Sequence, residues 1–182
     1  MDPPLPNTYW VIPELILAGE HPCGDREKRT RQRLAQLCGA GIDYFIDLTE
    51  KDEMPDYRGL LPARAQYLRS AIRDTDVPSE IAQMQQLQSR IRNAQELGRR
   101  TYIHCRAGIG RTSLVVGCYL AEGGLDGESA LARLNELWRG CARVKDWPIV
   151  PQTTEQADYI RDWPKHRQPR LTAPAGIRQR WR

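Results

Sequence analysis

The sequence predicts an α/β fold, with a single domain whose central sheet is mainly parallel and is flanked by helices. Short runs of β-branched and aromatic residues alternate along the chain with longer segments of helical periodicity, which is typical of such sheets. The length of 182 residues suits one domain. The content of 40% hydrophobic and 27% charged residues is typical of a globular protein, and no apolar run reaches the length of a membrane span.

The first half of the chain is predicted to contribute four strands and one helix. A proline separates two short apolar runs, which indicates a strand pair. A highly charged segment with apolar residues only near its end indicates a surface helix that closes at a glycine. Two further apolar runs indicate strands on either side of a polar loop. These elements are the strands 9–12, 15–18, 44–48 and 66–72, the helix 26–37 and the loop 51–64.

The second half is predicted to contain one strand and four helices. Apolar residues repeat at helical spacing after a Pro-Ser-Glu start, and a short buried strand follows. The next helix is apolar nearly all round, which indicates that it is buried. Asp126 is a predicted N-cap, Pro151 is predicted to open the last helix, and Pro164 is predicted to stop it. The predicted elements are the helices 81–97, 111–123, 127–138 and 151–163 and the strand 101–104.

A tight turn joins the strand at residues 101–104 to the helix that begins near Arg111. Cys105 opens this turn, and Gly108 and Gly110 lie within it, where glycine permits positive φ and a close approach of an oxyanion. Backbone N–H groups in such a turn converge on one point, and the helix N-terminus adds its positive dipole end. The turn is therefore predicted to hold a phosphate group and to favour the thiolate of Cys105, which is the nucleophilic form.

Side chains around the turn complete the predicted site. Arg111 returns to the mouth of the turn, where its planar fork suits two phosphate oxygens. Thr112 offers a hydroxyl for the sulfur, and the imidazole of His104 can bind a loop carbonyl and fix the shape of the turn. The alternative is a buried structural cysteine. The predicted phosphate-binding residues are Arg106, Ala107, Gly108, Ile109, Gly110 and Arg111.

The segment from His104 to Thr112 resembles the signature of the cysteine-dependent protein tyrosine phosphatases, His-Cys-x-x-Gly-x-Gly-Arg-Ser/Thr. The compact length of the chain resembles the dual-specificity branch. The resemblance implies hydrolysis of phosphate monoesters through a phosphocysteine intermediate, with no metal and no cofactor. In this reaction Cys105 is the expected nucleophile, and Arg111 stabilises the charge of the transition state.

A general acid is also needed, because thiolate attack on phosphorus expels an alkoxide or phenoxide. Residues 71–78 resemble the acid loop of the family, in which an Asp follows a strand and a Pro opens the next helix. Asp74 is the first candidate and Asp76 the second, and the alternative is that both are solvated loop acids. Asp47 and Glu50 follow another strand, and a structural or surface role is expected for them.

Residues 151–156 match the Gln-Thr-x-x-Gln segment of the family, which orients the hydrolytic water in many relatives. By this match Gln152 and Gln156 are candidates for holding the water. The alternative is an ordinary helix start that carries glutamines, since such starts are common.

The expected substrate is a phosphorylated protein or peptide. Relatives of this fold also act on phosphoinositides, inositol phosphates and RNA 5′ ends, and the lipid-directed ones often carry lysines inside the loop. Here Arg106 is the one extra cation among the variable loop positions, which favours a tyrosine or dual-specificity phosphatase. A non-catalytic phosphate-binding module is the rival interpretation, but the cysteine, the arginine and an acid are all present.

Composition bounds the remaining expectations. The five cysteines show no Cys-x-x-Cys spacing, so neither a disulfide framework nor a zinc site is expected, and His21 with Cys23 is too small a ligand set. The N-terminus lacks a signal-peptide pattern, so cytoplasmic residence is expected. The predicted domain is 1–165, followed by a basic and flexible tail, 166–182. Nucleic acid binding by this tail is not expected, and the oligomeric state stays open.

Overall fold

The computed structural model describes residues 2–167, so most of the predicted basic tail lies outside the described residues. Within this range the chain forms five strands and five α-helices, with three short 3₁₀ turns between them. The strands are β1 Thr8–Ile12, β2 Ile16–Gly19, β3 Tyr44–Asp47, β4 Gln66–Arg69 and β5 Thr101–His104. The helices are α1 Glu27–Gly39, α2 Ile81–Glu96, α3 Arg111–Glu122, α4 Gly127–Trp138 and α5 Thr154–Asp162.

The five strands form one sheet in the order β1-β2-β5-β3-β4. Only β1 pairs antiparallel, with β2, and the other neighbours are parallel, as predicted. Gly19 and Asp47 both pair with His104, and Asp47 also pairs with Arg69. The carboxyl ends of four strands therefore meet at one edge, where open α/β sheets bind their ligands.

Both faces of the sheet are covered. Ile46 and Ile103 point into the larger hydrophobic cluster, which also holds the apolar residues of α2 to α5. Phe45 and Tyr102, one position away in each strand, point into a smaller cluster beneath α1. This alternation explains why β3 and β5 are continuous apolar runs, since a parallel strand is buried on both faces. Helix α3 is buried along its whole length, as its apolar sequence predicts.

Element boundaries differ from the prediction by more than two residues at two places, the end of β4 and the start of α5. Strand β4 ends at Arg69, although the N–H groups of Ser70 and Ile72 still donate to the carbonyls of Asp47 and Leu48. The last helix begins at Thr154 and not at Pro151, because Thr153 and Gln156 form a capping box at its N-terminus.

Two further predictions concern single residues. The α-helix α5 ends at Asp162, just before Pro164 and within one residue of the predicted end, and a 3₁₀ turn from Trp163 to Lys165 follows. Asp126 is the N-cap of α4, as predicted, since its carboxylate accepts a hydrogen bond of 2.9 Å from the N–H of Ser129. No helix in residues 2–167 is both long and apolar enough to cross a membrane.

Close contact between α4 and α5 depends on the absence of a side chain at Gly127. A Cβ at this position would overlap the carbonyl oxygen and the Cα of Arg161. Gly127→Ala is therefore expected to lower the free energy of unfolding by about 1–3 kcal/mol in urea titrations. Gly39→Ala is the matched control, because a Cβ there meets nothing within 4 Å. Equal stability of the two variants would contradict this account of the packing.

Candidate active site

The turn between β5 and α3 depends on its glycines for two different reasons. Gly108 has φ of +79°, and a Cβ there would lie 2.6 Å from the carbonyl carbon of Gly19. Gly110 has φ of −84°, so its backbone conformation does not require glycine. A Cβ at Gly110 would lie 3.0 Å from the side-chain oxygen of Gln152 and 3.1 Å from the amide of Gln156. Only glycine fits at Gly108, and Gly110 is a position of close packing.

Cys105 lies at the floor of this turn and is only 3% exposed. Its sulfur accepts a hydrogen bond of 3.3 Å from the backbone N–H of Gly108 in the turn. The other predicted phosphate-binding residues follow along the same turn: Ile109 is buried, Ala107 is half-buried and Arg106 is exposed.

The segment after β2 supports the turn from one side. The N–H of His21 donates to the carbonyl of Arg106 at 3.1 Å. The hydroxyl of Thr112 donates to the carbonyl of Gly19 at 3.3 Å, so its one proton is directed at that carbonyl and not at the sulfur. The predicted Thr112–sulfur hydrogen bond is therefore replaced by one that joins helix α3 to the end of β2.

Arg111 begins α3, is 1% exposed and is held by the surrounding loops. Its two terminal nitrogens donate to the two carboxylate oxygens of Glu53 at 2.6 and 2.7 Å. One of them also donates to the carbonyls of Ile72 at 3.1 Å and Leu48 at 3.5 Å. Burial opposes its charge, but the Glu53 carboxylate outweighs this effect and raises the pKa of Arg111. The guanidinium is thus fixed in place and charged.

One donor of this guanidinium is left over. The Nε–H of Arg111 is buried and has no hydrogen-bond partner among residues 2–167. A buried donor without an acceptor costs about 1–3 kcal/mol, more when the group is charged. An oxyanion bound in the turn would supply that acceptor.

Glu53 is the site residue that the sequence analysis missed. It lies in the predicted loop 51–64. Of the acids near the end of β3, only Asp47 and Glu50 were considered from the sequence. Burial would raise the pKa of Glu53, but the hydrogen bonds from Arg111 outweigh it and lower that pKa. The backbone N–H of Glu50 also donates to Glu53, at 2.9 Å. The acids Glu50, Asp52 and Glu53 all follow β3 within seven positions, and nothing in the sequence distinguishes Glu53 from the other two.

Asp47 has the structural role that was expected of it. It is fully buried, and Thr49 donates to it from both its N–H at 2.9 Å and its hydroxyl at 2.6 Å. Tyr67 and Arg69 donate to its other oxygen at 2.7 and 3.1 Å. Burial would raise the pKa of Asp47, but His104 and these donors lower it to about 2.

His104 lies beneath the turn, where the sequence placed it. Its Nδ1 is 3.4 Å from the carbonyl oxygen of Cys105, and its Nε2 is 2.6 Å from the hydroxyl of Tyr57. His21 packs edge-on against the same ring, with centroids 5.0 Å apart. Burial lowers the pKa of His104 to about 3 and the pKa of His21 to about 4, so both rings are neutral near pH 7.

Donor atoms of His21, Asp47 and His104 lie within 4.8 Å of one another, which raises the question of a metal site. The Nδ1 of His21 accepts a hydrogen bond of 3.2 Å from the N–H of Cys23. In the neutral ring Nε2 then carries the proton, so it faces the cluster as a donor and not as a lone pair. These residues form a buried polar cluster that supports the turn, and their hydrogen bonds do not fit a ligand set.

The acid loop after β4 separates the two candidate acids. Asp74 is half-exposed, and its carboxylate forms an ion pair of 3.0 Å with Arg111. Asp76 instead accepts a hydrogen bond of 2.8 Å from the N–H of Val77. Between them, Thr75 has φ of +64°, in the left-handed region. Only Asp74 is brought next to Arg111.

The two glutamines at the start of α5 differ in what they contact. Gln156 is fully buried, donates to the carbonyl of Asp76 at 3.1 Å and accepts from the N–H of Thr153 at 3.3 Å. Thr153 donates to the carbonyl of Thr75 at 3.5 Å. Gln156 and Thr153 therefore hold the acid loop in place. Gln152 is exposed beside Gly110, and its amide is available to a water or a substrate.

Comparison with known proteins gives the family to which this chain belongs. Residues 5–162 match the family described as PTP-SAK: Swiss Army Knife protein, DSP-PTPase phosphatase domain. The match covers most of the chain, and the chain belongs to this family. The protein 067L of Invertebrate iridescent virus 3, whose name describes it as a tyrosine phosphatase, is 30% identical over 95 residues. That alignment spans 50% of this chain and 38% of the viral protein.

Solved structures share the fold. The active form of Tk-PTP has a TM-score of 0.71 and 20% identity over 88% of this chain and 97% of its own. Kinase associated phosphatase, crystallised with its catalytic cysteine replaced by serine, has a TM-score of 0.69 and 20% identity, covering 82% and 85%. PTPMT1 in complex with PI(5)P has a TM-score of 0.65 and 17% identity, covering 87% and 95%. The predicted fold and its dual-specificity resemblance are confirmed.

The buried histidines predict a loss of stability in mild acid. In the unfolded chain a histidine binds a proton below about pH 6.5, whereas His21 and His104 stay neutral in the folded protein until about pH 4 and 3. Stability is therefore complete above pH 6.5 and falls by about 2 kcal/mol per histidine between pH 6.5 and 5. Asp47 contributes only in a lower window, as the pH falls from about 4 towards 2.

Urea unfolding of the wild type and His21→Asn at pH 7.5 and pH 5 measures this effect. The variant is expected to lose about half as much stability as the wild type between the two pH values. Equal losses in the two proteins would show that His21 is not neutral when folded.

Proposed function

We propose that this chain hydrolyses phosphate monoesters through a phosphocysteine intermediate, and that its substrates are proteins phosphorylated on tyrosine or on serine and threonine. The observation that carries the proposal is the buried guanidinium of Arg111. Glu53 and Ile72 fix it beside the Cys105 turn, and its Nε–H has no acceptor among the described residues. A tetrahedral oxyanion satisfies this donor and the N–H groups of the turn together.

Cys105 is the nucleophile in the proposed first step. Its thiolate forms a bond to phosphorus while the bond from phosphorus to the ester oxygen breaks. The turn N–H groups and Arg111 hold the equatorial oxygens, which carry the charge of the transition state. Asp74 gives its proton to the departing oxygen. In the unliganded site Asp74 is paired with Arg111, and an incoming phosphate competes for the same guanidinium and releases the carboxyl group towards the leaving oxygen.

Hydrolysis of the phosphocysteine is the proposed second step. A water attacks phosphorus, Asp74 takes its proton, and the bond between sulfur and phosphorus breaks to regenerate the Cys105 thiolate and release phosphate. Gln152 is proposed to orient this water, because its amide is exposed beside Gly110. Gln156 was an equal candidate from the sequence, but its amide already binds Asp76 and Thr153, so we assign it the positioning of the acid loop.

A phosphoinositide, inositol phosphate or RNA 5′ end is the alternative substrate on the same fold. The structural neighbour PTPMT1 was crystallised with PI(5)P, which supports lipids as an alternative substrate class. Arg106 is the single cation among the variable positions of the turn, which favours phosphoproteins over polyphosphorylated substrates. Against a non-catalytic binding module stands the pairing of Asp74 with Arg111, because a module has no need of an acid.

The proposed domain is residues 1–165, with a basic segment at 166–182. The family match at 5–162 and the last described turn, which ends at Lys165, support this boundary. Cytoplasmic residence stays a prediction from the sequence.

A phosphate-release screen with Cys105→Ser as the blank tests the chemistry. The substrates are phosphotyrosine and phosphothreonine peptides, a phosphoinositide, an inositol phosphate and 5′-triphosphate RNA. Wild type should release phosphate fastest from a peptide, and Cys105→Ser should bind that peptide but turn it over at least about a thousandfold more slowly. Cys38→Ser, a half-buried thiol away from the turn, is the matched control. Full activity of Cys105→Ser would exclude the phosphocysteine mechanism.

Replacement of each acid tests the assignment of Asp74. Asp74→Asn is expected to slow turnover by about 10²–10⁴-fold for alkyl phosphates, which have poor leaving groups, and much less for p-nitrophenyl phosphate. Asp76→Asn is the matched control, since its carboxylate faces Val77 and not Arg111. The measurement is kcat/KM for both substrates. If Asp76→Asn, and not Asp74→Asn, slowed turnover more for alkyl phosphates than for p-nitrophenyl phosphate, Asp76 would be the general acid.

A further inference from the structure

A groove lies between α4, α5 and the segment 147–154 that joins the α4 side of the protein to α5. Its volume is about 540 Å³. Leu131 and Ala132 of α4 form one wall, and Ala157 of α5 forms the opposite wall. We call it the α4–α5 groove.

Two exposed apolar side chains line this groove. In residues 2–167 three large hydrophobic side chains are exposed, and two of them, Trp147 at 38% and Ile149 at 70%, line the groove. Among its polar residues, Asn135 has its side-chain amide fully hydrogen-bonded, since it donates to the carbonyls of Leu131 and Val150 and accepts from the N–H of Val150. The groove therefore exposes apolar surface to solvent, and such surface is typical of a binding site.

The groove is continuous with the proposed catalytic site. Gln152 and Thr153 line the groove, Gln152 also borders Gly110, and Thr153 contacts the acid loop at Thr75. Ile149 is three residues from Gln152, so their Cα atoms are at most about 11 Å apart. An extended polypeptide covers that distance with about three residues. A chain whose phosphorylated residue lies in the turn beside Gln152 can thus place a side chain a few residues away near Ile149.

Charge around the groove favours a polypeptide over an anionic membrane. Among the described residues that line it, the charged ones are Glu128 and Arg161, which pair at 2.7 Å. Arg161 also donates to Asp158 at 2.7 Å. The cation is therefore neutralised by two carboxylates, and lipid headgroups would meet no free positive charge here.

We propose that the α4–α5 groove binds an apolar side chain of the phosphoprotein substrate, a few residues from the phosphorylated position. This inference rests on the proposed function and adds a specificity site to it. Ile149 and Trp147 supply the contact, and the groove makes the protein selective for the sequence around the phosphate. Small aryl phosphates do not reach the groove.

The experiment compares phosphotyrosine peptides in which one leucine is moved through the four positions on either side of the phosphotyrosine in an otherwise alanine and glycine sequence. Wild type should prefer one or two leucine positions over the all-alanine peptide by about tenfold in kcat/KM. Ile149→Ser should reduce this ratio to nearly one. Leu97→Ser is the matched control, because Leu97 is 76% exposed at the end of α2 and should leave the ratio unchanged.

The outcomes separate the two proposals. Wild type that fails to hydrolyse p-nitrophenyl phosphate would overturn the proposed function itself. Hydrolysis of p-nitrophenyl phosphate with equal rates for all peptides would overturn the groove alone. The groove proposal also fails if Ile149→Ser lowers turnover of a short-chain phosphoinositide and no peptide ratio, or if it changes only the mass measured by light scattering, which would place a second copy in the groove.

Discussion

The guanidinium of Arg111 is the contact on which the site depends. Its side chain joins three segments that are distant in sequence: Glu53 after β3, the carbonyl of Ile72 after β4, and the first turn of α3. Because these hydrogen bonds orient a buried charge from several directions, the guanidinium needs little reorganisation when an oxyanion arrives. Such preorganisation is the main source of electrostatic stabilisation in enzyme sites. The acid loop gains its position from the same residue, through Ile72 and Asp74.

Local signals explain which parts of the site the sequence could predict. A buried strand, two glycines and a buried helix follow one another between Thr101 and Glu122, so the turn and its position at the sheet edge follow from adjacent residues. The contact between Glu53 and Arg111 spans 58 positions and depends on how two loops pack, which no local pattern records. The start of α5 could have been predicted from the sequence, because Thr153-x-x-Gln156 is itself a capping-box pattern.

The two ends of α5 serve different purposes in this fold. At its start, Thr153 and Gln156 hold carbonyls of the acid loop. Further along, Ala157 forms part of the groove wall and Arg161 pairs with Glu128 at the groove. The start of this one helix thus contacts the loop that carries the proposed acid, and its later residues line the groove that we propose binds the substrate. The position of α5 between the acid loop and the groove results from its packing on α4 and α3. A sequence pattern alone could not reveal this packing.

The contact of Gly108 with Gly19 has a consequence for how the domain folds. The Cys105 turn rests against the backbone of β2, which lies in a hairpin about 90 residues earlier in the chain, and the N–H of His21 binds the turn from the same segment. The turn therefore has no complete wall until the first strands have joined the sheet beside β5. Contacts of such large sequence separation form late and slowly, because the intervening chain must first be ordered. The proposed activity should thus appear only with the fully assembled domain, and fragments from either half should lack it.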